Sequence, residues 1–291
     1  MIDLYVNQLR KSFSKGWRDR TTVLNDVNFG VEGGKITGFL GANGAGKTTT
    51  IKCLFNLINR DSGQIDFFGK GEFTPEVAKS VGFLPERPYF YDHLTGREFL
   101  SFYGNLSKKW KSRDLNDRIV SLLKKVDLTA AADRPLRSYS KGMLQRIGIS
   151  QAILNHPKLV VLDEPMAGLD PDGRFKLSGI IKEIAQSGTT VFFSSHLLHD
   201  VEVLCENLVI LKDGGVAFQG KTNEFLGGLV SGFELVIRKA EVVEVRRLID
   251  IQSAQSALHS SMKDGYSIES LKPIRPSLEE AFVRLSSKGD L

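Results

Sequence analysis

The sequence predicts an α/β fold, a largely parallel sheet flanked by helices, opening at one end on a phosphate-binding loop. Three observations predict it. Short apolar strand candidates alternate with helical stretches through much of the chain. The loop Gly41-Ala42-Asn43-Gly44-Ala45-Gly46-Lys47-Thr48 fits G-x-x-x-x-G-K-[ST] at every fixed position, between a strand candidate at 35–40 and a helix candidate at 49–55. The run Leu159-Val160-Val161-Leu162 ends in Asp163 and Glu164. A buried parallel strand needs such an apolar run, and ligands bind at its carboxyl end.

The elements follow in order. Residues 4–9 and 23–31 alternate in part with period two and read as strands, joined by a polar hairpin-like connection over 14–22. They form an antiparallel β subdomain beside the phosphate-loop core. Residues 63–69 read as a strand bounded by glycines, and 81–84 as a short buried strand. From 95 to 150 the pattern turns helical. Phe99, Phe102, Tyr103 and Leu106 recur at helical spacing, as do Ile119, Leu122, Leu123 and Val126, with Asp117 read as the cap of the second helix. Strands at 159–162 and 189–193 then alternate with helices at 175–186 and 197–205. A strand at 208–211 turns at Lys212-Asp213-Gly214-Gly215 into 216–218. Residues 1–220 thus form one α/β domain, a phosphate-loop NTPase core with a helical subdomain at about 87–150. Residues 221–291 form a small α+β appendage: a strand at 233–237, a charged helix at 241–249 and a closing helix at 277–285 capped by Ser277 ahead of Glu279 and Glu280.

Bulk properties narrow the function classes. The chain has 291 residues, 41% hydrophobic and 25% charged, enough for a sizeable core. Its longest apolar runs are far too short to cross a bilayer. No basic-then-apolar leader follows Met1, so the chain is expected to stay in the compartment where it is made, the cytoplasm. Cys53 and Cys205 match no metal spacing and read as reduced thiols. A net charge of +5 does not choose among an anionic ligand, a membrane surface and nucleic acid. No basic block or basic stripe with interleaved aromatics occurs, so no nucleic-acid partner is expected.

The chemistry starts at the loop. Gly41, Gly44 and Gly46 allow the tight turns that bring the backbone N–H groups of Ala42, Asn43, Ala45 and their neighbours to phosphate oxygens. The helix N-terminus at Lys47, Thr48 and Thr49 adds its positive dipole end. Lys47 is placed to reach the β- and γ-phosphates, and the Thr48 hydroxyl to ligate Mg²⁺. Asp163 is placed as the metal-side carboxylate. Glu164 is placed to take a proton from a water attacking the γ-phosphate.

Further motifs, in order, resemble one family. Tyr139-Ser140-Lys141-Gly142-Met143 is similar to the signature LSGGQ, followed by Asp163-Glu164-Pro165, by the D-loop-like Ala167-Gly168-Leu169-Asp170, and by His196 after a strand ending Ser194-Ser195. From Leu4 to about Gly220 the chain resembles the nucleotide-binding subunit of an ATP-binding cassette (ABC) transporter. That resemblance implies MgATP as ligand, a second cassette subunit as partner in a head-to-tail sandwich, and a polytopic membrane permease. Ser140, Lys141, Gly142 and Met143 would then form the signature facing the partner's nucleotide, with Ser140 and Gly142 donating hydrogen bonds to its γ-phosphate. Asp170 would couple the two sites, and His196 would contact the γ-phosphate and the attacking water. Pro88, Tyr89, Phe90 and Tyr91 would dock the permease, with core packing the other reading for Phe90 and Leu94.

The chain departs from the family pattern at three places. Glu86 stands where the family has Gln, as a further metal-side and water-positioning oxygen or as a solvated loop residue. Lys141 replaces the first signature glycine, adding charge near the partner's nucleotide or pointing to solvent. Phe13 best matches the adenine-stacking aromatic, with Trp17 in reserve. The signature and the ending Pro276-Ser277-Leu278-Glu279-Glu280-Ala281-Phe282 resemble the bacterial single-cassette exporter branch that includes sodium, antibiotic and bacteriocin-resistance efflux. The resemblance implies a dimerising or regulatory role for the appendage. It also implies an ATPase that powers an exporter from the inner face of the membrane. The alternatives are a soluble ABC ATPase acting on ribosomes or DNA, and a non-hydrolysing regulatory binder.

Overall fold

The structure, a computed structural model, describes residues 1–14, 20–227 and 232–274. Trp17 and the helix expected at 277–285 lie outside the described residues. The chain divides into two compact units, Met1–Gln219 and Gly220–Leu291.

The first unit opens with β1 (Ile2–Ser14) and β2 (Arg20–Glu32), paired antiparallel, followed by β3 (Ile36–Leu40), α1 (Lys47–Leu54), β4 (Ser62–Phe67), α2 (Pro75–Ala78) and β5 (Val81–Leu84). Three helices come next, α3 (Gly96–Leu106), α4 (Ser112–Lys125) and α5 (Lys141–Ile153). Then β6 (Leu159–Leu162), α6 (Pro171–Gln186), β7 (Thr190–Ser195), α7 (Leu198–Leu204), β8 (Asn207–Lys212) and β9 (Gly215–Lys221) alternate.

Six strands form the main sheet in the order β5-β6-β7-β3-β8-β9. The pairs from β5 to β8 are parallel. Every residue of β3, β6 and β7 is buried, as expected of strands covered on both faces. β9 folds back through a two-residue turn whose Asp213 and Gly214 both have positive φ (49° and 78°), the geometry a hairpin turn of that length prefers. A three-stranded antiparallel sheet, β2-β1-β4, lies against this one. Phe29 of β2, Phe39 of β3 and Phe192 of β7 lie with their ring centroids 5.3–5.6 Å from one another, so one aromatic cluster joins the two sheets.

The helical segment is fixed to the core at close approaches. α3 starts with a capping box in which Thr95 and Glu98 satisfy each other's backbone N–H groups. A Cβ on Gly104 would lie 2.3 Å from a Leu115 methyl, so the glycine lets α3 and α4 meet. α4 starts at Ser112, with Lys111 at its N-cap and Asp114 in its first turn. Asp117 is therefore inside the helix and does not cap it. The buried stripe of Leu115, Ile119, Leu122 and Leu123 extends the helix a turn earlier than Ile119 alone suggests. α6 likewise starts before 175, because Asp170 caps it and Pro171 suits its first position.

The second unit holds α8 (Thr222–Gly227), β10 (Gly232–Lys239), β11 (Val242–Leu248), α9 (Ile251–Lys263) and β12 (Ser267–Ile274). Its sheet runs β11-β10-β12, antiparallel throughout, and α9 packs on one face through Ala254, against the buried Leu235 and Ile237. The charged helix expected at 241–249 is strand β11. Valines 242, 243 and 245 are β-branched, and the two-residue turn Ala240-Glu241 returns the chain onto β10 in unbroken register. α9 and β12 were not foreseen.

Candidate functional site

The phosphate loop leaves β3 and enters α1, and its shape depends on its glycines. Gly44 and Gly46 have φ of 86° and 110°, which L side chains rarely adopt. A Cβ on Gly46 would also lie 2.6 Å from Leu24, and one on Gly41 2.7 Å from the Leu211 carbonyl oxygen. Lys47 is buried, and its Nζ donates to the Gly41 carbonyl at 2.7 Å. The loop borders a cleft of about 540 Å³ whose walls include Lys47, Thr48, Glu86, Glu164 and His196.

Asp163 and Glu164 follow β6, Glu164 walling the cleft and Asp163 beside it next to Thr48, and both are buried. Ser194, at the end of neighbouring β7, ties them together. Its hydroxyl donates to Asp163 Oδ1 at 2.6 Å and accepts from the Glu164 backbone N–H at 2.9 Å. Burial raises the Asp163 pKa above the usual carboxylate value, with the hydrogen bonds from Ser194 and Thr48 opposing that shift and the charge of Glu86 adding to it. Glu164 is held from both sides. Its Oε1 lies 3.3 Å from Lys47 Nζ, and its Oε2 2.8 Å from His196 Nδ1. Its backbone φ is 48°, in the left-handed region.

The structure thus brings together Lys47, Thr48, Asp163, Glu164, His196 and Glu86. Glu86 is the most solvent-facing of them, with Arg87 Nε 3.8 Å from its carboxylate. Two residues of the site escaped sequence reasoning, Ser194 behind the carboxylates and Val23 on the cleft wall. Ser194 could have been found from its place in the Ser-Ser-His run, whereas Val23 reaches the cleft wall from β2 with no local signal. Phe13 sits on β1 with the Lys11 ammonium 5.0 Å from its ring centre, outside the residues that wall the cleft.

The donor set fits MgATP. Among the described residues, no three His, Cys, Asp or Glu side chains gather as a metal site. A hydroxyl and a single carboxylate, Thr48 and Asp163, suit magnesium, which takes its remaining oxygens from phosphates and water. The glycine-lined loop and the Lys47 ammonium suit the phosphates themselves.

A second crevice, about 380 Å³, shares no residue with the first. Ser140 caps α5 by accepting from the Met143 N–H, and Asp170 caps α6 by accepting from the Gly173 N–H. No acidic residue occupies the first turn of α5. The Lys141 ammonium lies over the Gly168 backbone, where a Cβ would meet it at 2.2 Å, so its side chain bends along the D-loop while the residue stays exposed. Met143 is half-buried. In the loop after β5, Tyr89 (80% exposed) and Tyr91 (37%) form an outward edge-to-face pair. Phe90 turns inward against Phe99, and Leu94 is half-buried.

Fold and cleft define a phosphate-loop NTPase with a signature-type second crevice. Residues 24–167 match the ABC transporter family. An uncharacterized ABC transporter ATP-binding protein of Synechocystis sp. is 37% identical over 90% of this chain and 77% of its own length. The linearmycin resistance ATP-binding protein of Bacillus subtilis is 30% identical over 98% of both chains. A solved ATP-binding subunit of an ABC transporter superposes with a TM-score of 0.71 at 26% identity, over 99% of this chain and 100% of that one. This chain belongs to the ABC transporter ATP-binding proteins.

Proposed function

We propose that this chain hydrolyses ATP to drive a membrane exporter, working as a pair of cassettes beneath a polytopic permease on the cytoplasmic face. The observation that carries the reading is Glu164, a buried carboxylate suspended between Lys47 and His196 beside the metal-side carboxylate Asp163. A magnesium ion held by Thr48 and Asp163 neutralises phosphate charge when bound. Lys47 exchanges its contact with Glu164 for the γ-phosphate. Freed of that cation, Glu164 takes the proton of the attacking water, and His196 keeps the carboxylate oriented. Glu86, at the rim, positions the water. Phe13 stacks on the adenine.

Ser140, Lys141, Gly142 and Met143 serve the partner's nucleotide, since the first three line a crevice separate from their own phosphate loop and Met143 follows them in the first turn of α5. Hydrolysis then waits for the cassettes to close, with the Asp170 loops of the two chains in contact. Pro88, Tyr89, Phe90 and Tyr91 dock the permease, with the outward Tyr89–Tyr91 pair as anchor and Phe90 as its inward support. The exporter direction is supported by similarity to a linearmycin resistance protein.

Co-purification of the tagged chain from detergent-solubilised membranes tests this reading. A polytopic membrane protein should come with it, and should be lost when Tyr89 and Tyr91 are changed to alanine. Recovery with ribosomes or DNA-associated proteins instead would overturn the transport assignment.

A further inference from the structure

The two edges of the appendage sheet differ in kind. Strand β12 is guarded as exposed edges usually are: it carries Lys272 and Pro273, and its pairing with β10 is broken by a register shift. Strand β11 lacks the lysine, the proline and the shift, and among the described residues its only edge guards are the charges of Glu244, Arg246 and Arg247. Its sequence is Val242-Val243-Glu244-Val245-Arg246-Arg247-Leu248, with no proline, glycine or lysine, and it pairs with β10 over seven residues without a shift. Val242, Val243 and Val245 are 66%, 45% and 55% exposed. A straight, valine-rich edge of this kind is a template for one more strand.

The side chains of β11 say which strand fits. Glu244 and Arg246 lie on the α9 face, where they pair with each other and Arg246 also reaches Ser261 of α9. Val243, Val245 and Arg247 alternate onto the opposite face. A second copy of β11 approaching antiparallel, about a two-fold axis normal to the sheet, keeps each face with its like, so register can change only in steps of two residues. Centring the axis on Val245 puts Glu244 opposite the partner's Arg246 and the reverse. On the other face it sets Val245 directly opposite Val245, with each Val243 diagonal to the second copy's Val245 and directly opposite its Arg247. Moving one step either way sets Glu244 against Glu244 or Arg246 against Arg246. The strand is therefore complementary to itself in one of these registers and self-repelling in the two beside it.

We infer that β11 is a self-association edge, joining the appendages of two copies of this chain into a continuous six-stranded sheet centred on Val245, without need of nucleotide. This contact is separate from the ATP-dependent closure of the cassettes and does not rest on it.

Cysteine linkage in the full chain, kept free of nucleotide, tests the pairing and its register. The native Cys53 and Cys205 are both buried. Opposed residues in an antiparallel pair have Cα atoms about 4.5–5.5 Å apart, within disulfide reach. Under mild oxidation Val245→Cys should give linked dimers at least about fivefold more efficiently than Val243→Cys, whose two copies would sit roughly 13 Å apart along the strands. Adding Glu244→Arg should lower the Val245→Cys yield about fivefold by opposing like charges, and adding Arg246→Glu as well should restore it. In the unaltered chain, amide exchange across 242–248 should slow as protein concentration rises. Equal linkage at both positions, no linkage at Val245→Cys, indifference to the charge reversal or concentration-independent exchange would each overturn the inference.

Discussion

Glu164 is the residue on which the cleft is organised, and its backbone and side chain are both constrained. Its φ of 48° is uncommon for a residue with a Cβ and persists only where the surroundings over-determine it. Ser194 supplies that determination, holding the Glu164 N–H while its own proton goes to Asp163. Lys47 is the second critical group. Replacing it with alanine removes a charged hydrogen-bond donor worth about 1.5–3 kcal/mol, so ATP affinity should fall roughly tenfold to a hundredfold by calorimetric titration. Unchanged affinity would count against the phosphate-loop assignment. Asp200 makes a different residue-scale prediction. It is 5% exposed, its Oδ2 has no hydrogen-bond partner among the described residues, and burial raises its pKa above the usual carboxylate value. A raised folded-state pKa means the buried carboxylate opposes folding at pH above that pKa. The penalty vanishes below the unfolded-state value, where the group is protonated in both states. Asp200→Asn should therefore stabilise the protein by about 1 kcal/mol at neutral pH, and the gain should fade on acidification to about pH 4. Thermal melts at the two pH values read this out, and a gain that grows on acidification would refute it.

At the scale of elements, β5 and α5 meet with almost no space between them. A Cβ on Gly82 would lie 2.1 Å from the Ala152 carbonyl oxygen, and that oxygen belongs to helix backbone and cannot swing aside. Gly82→Ala should destabilise the first unit by about 1–3 kcal/mol in denaturant titration, and a neutral result would mean that α5 shifts freely on the sheet. The strands that frame the cleft were legible in the sequence because burial on both faces demands apolar runs, as in Leu159-Val160-Val161-Leu162 and Val191-Phe192-Phe193. The phosphate loop and the carboxylate pair were legible for the same local reason. The appendage was harder to read. The β10–β11 turn uses Ala240 at φ 54°, where a glycine or asparagine would have announced a hairpin, and the charges of β11 imitate a solvated helix. α9 has Asp250 as N-cap and Gly265 just beyond its end, but only Ala254 and Ser261 are buried along it, too faint a stripe to call attention to a helix. Contacts made across the chain, such as Ser194 to Asp163 or Val23 to the cleft, carry no local pattern and needed the fold.

For the molecule as a whole, the central fact is that one chain presents the phosphate-loop cleft and the signature crevice as separate places. On the proposed reading neither is a complete hydrolytic site by itself. In the function proposed above two copies arranged head to tail complete both, and no helix among the described residues is long and apolar enough to cross a membrane. Glu164→Gln tests the account most directly, since the substitution keeps the shape of the side chain and removes the proton acceptor. With ATP and magnesium, the variant should bind nucleotide as the parent does, lose steady-state hydrolysis by at least about a hundredfold, and accumulate as an ATP-dependent dimer in analytical ultracentrifugation. Turnover at the parent's rate, with no ATP-dependent dimer, would contradict both the role of Glu164 and the shared site.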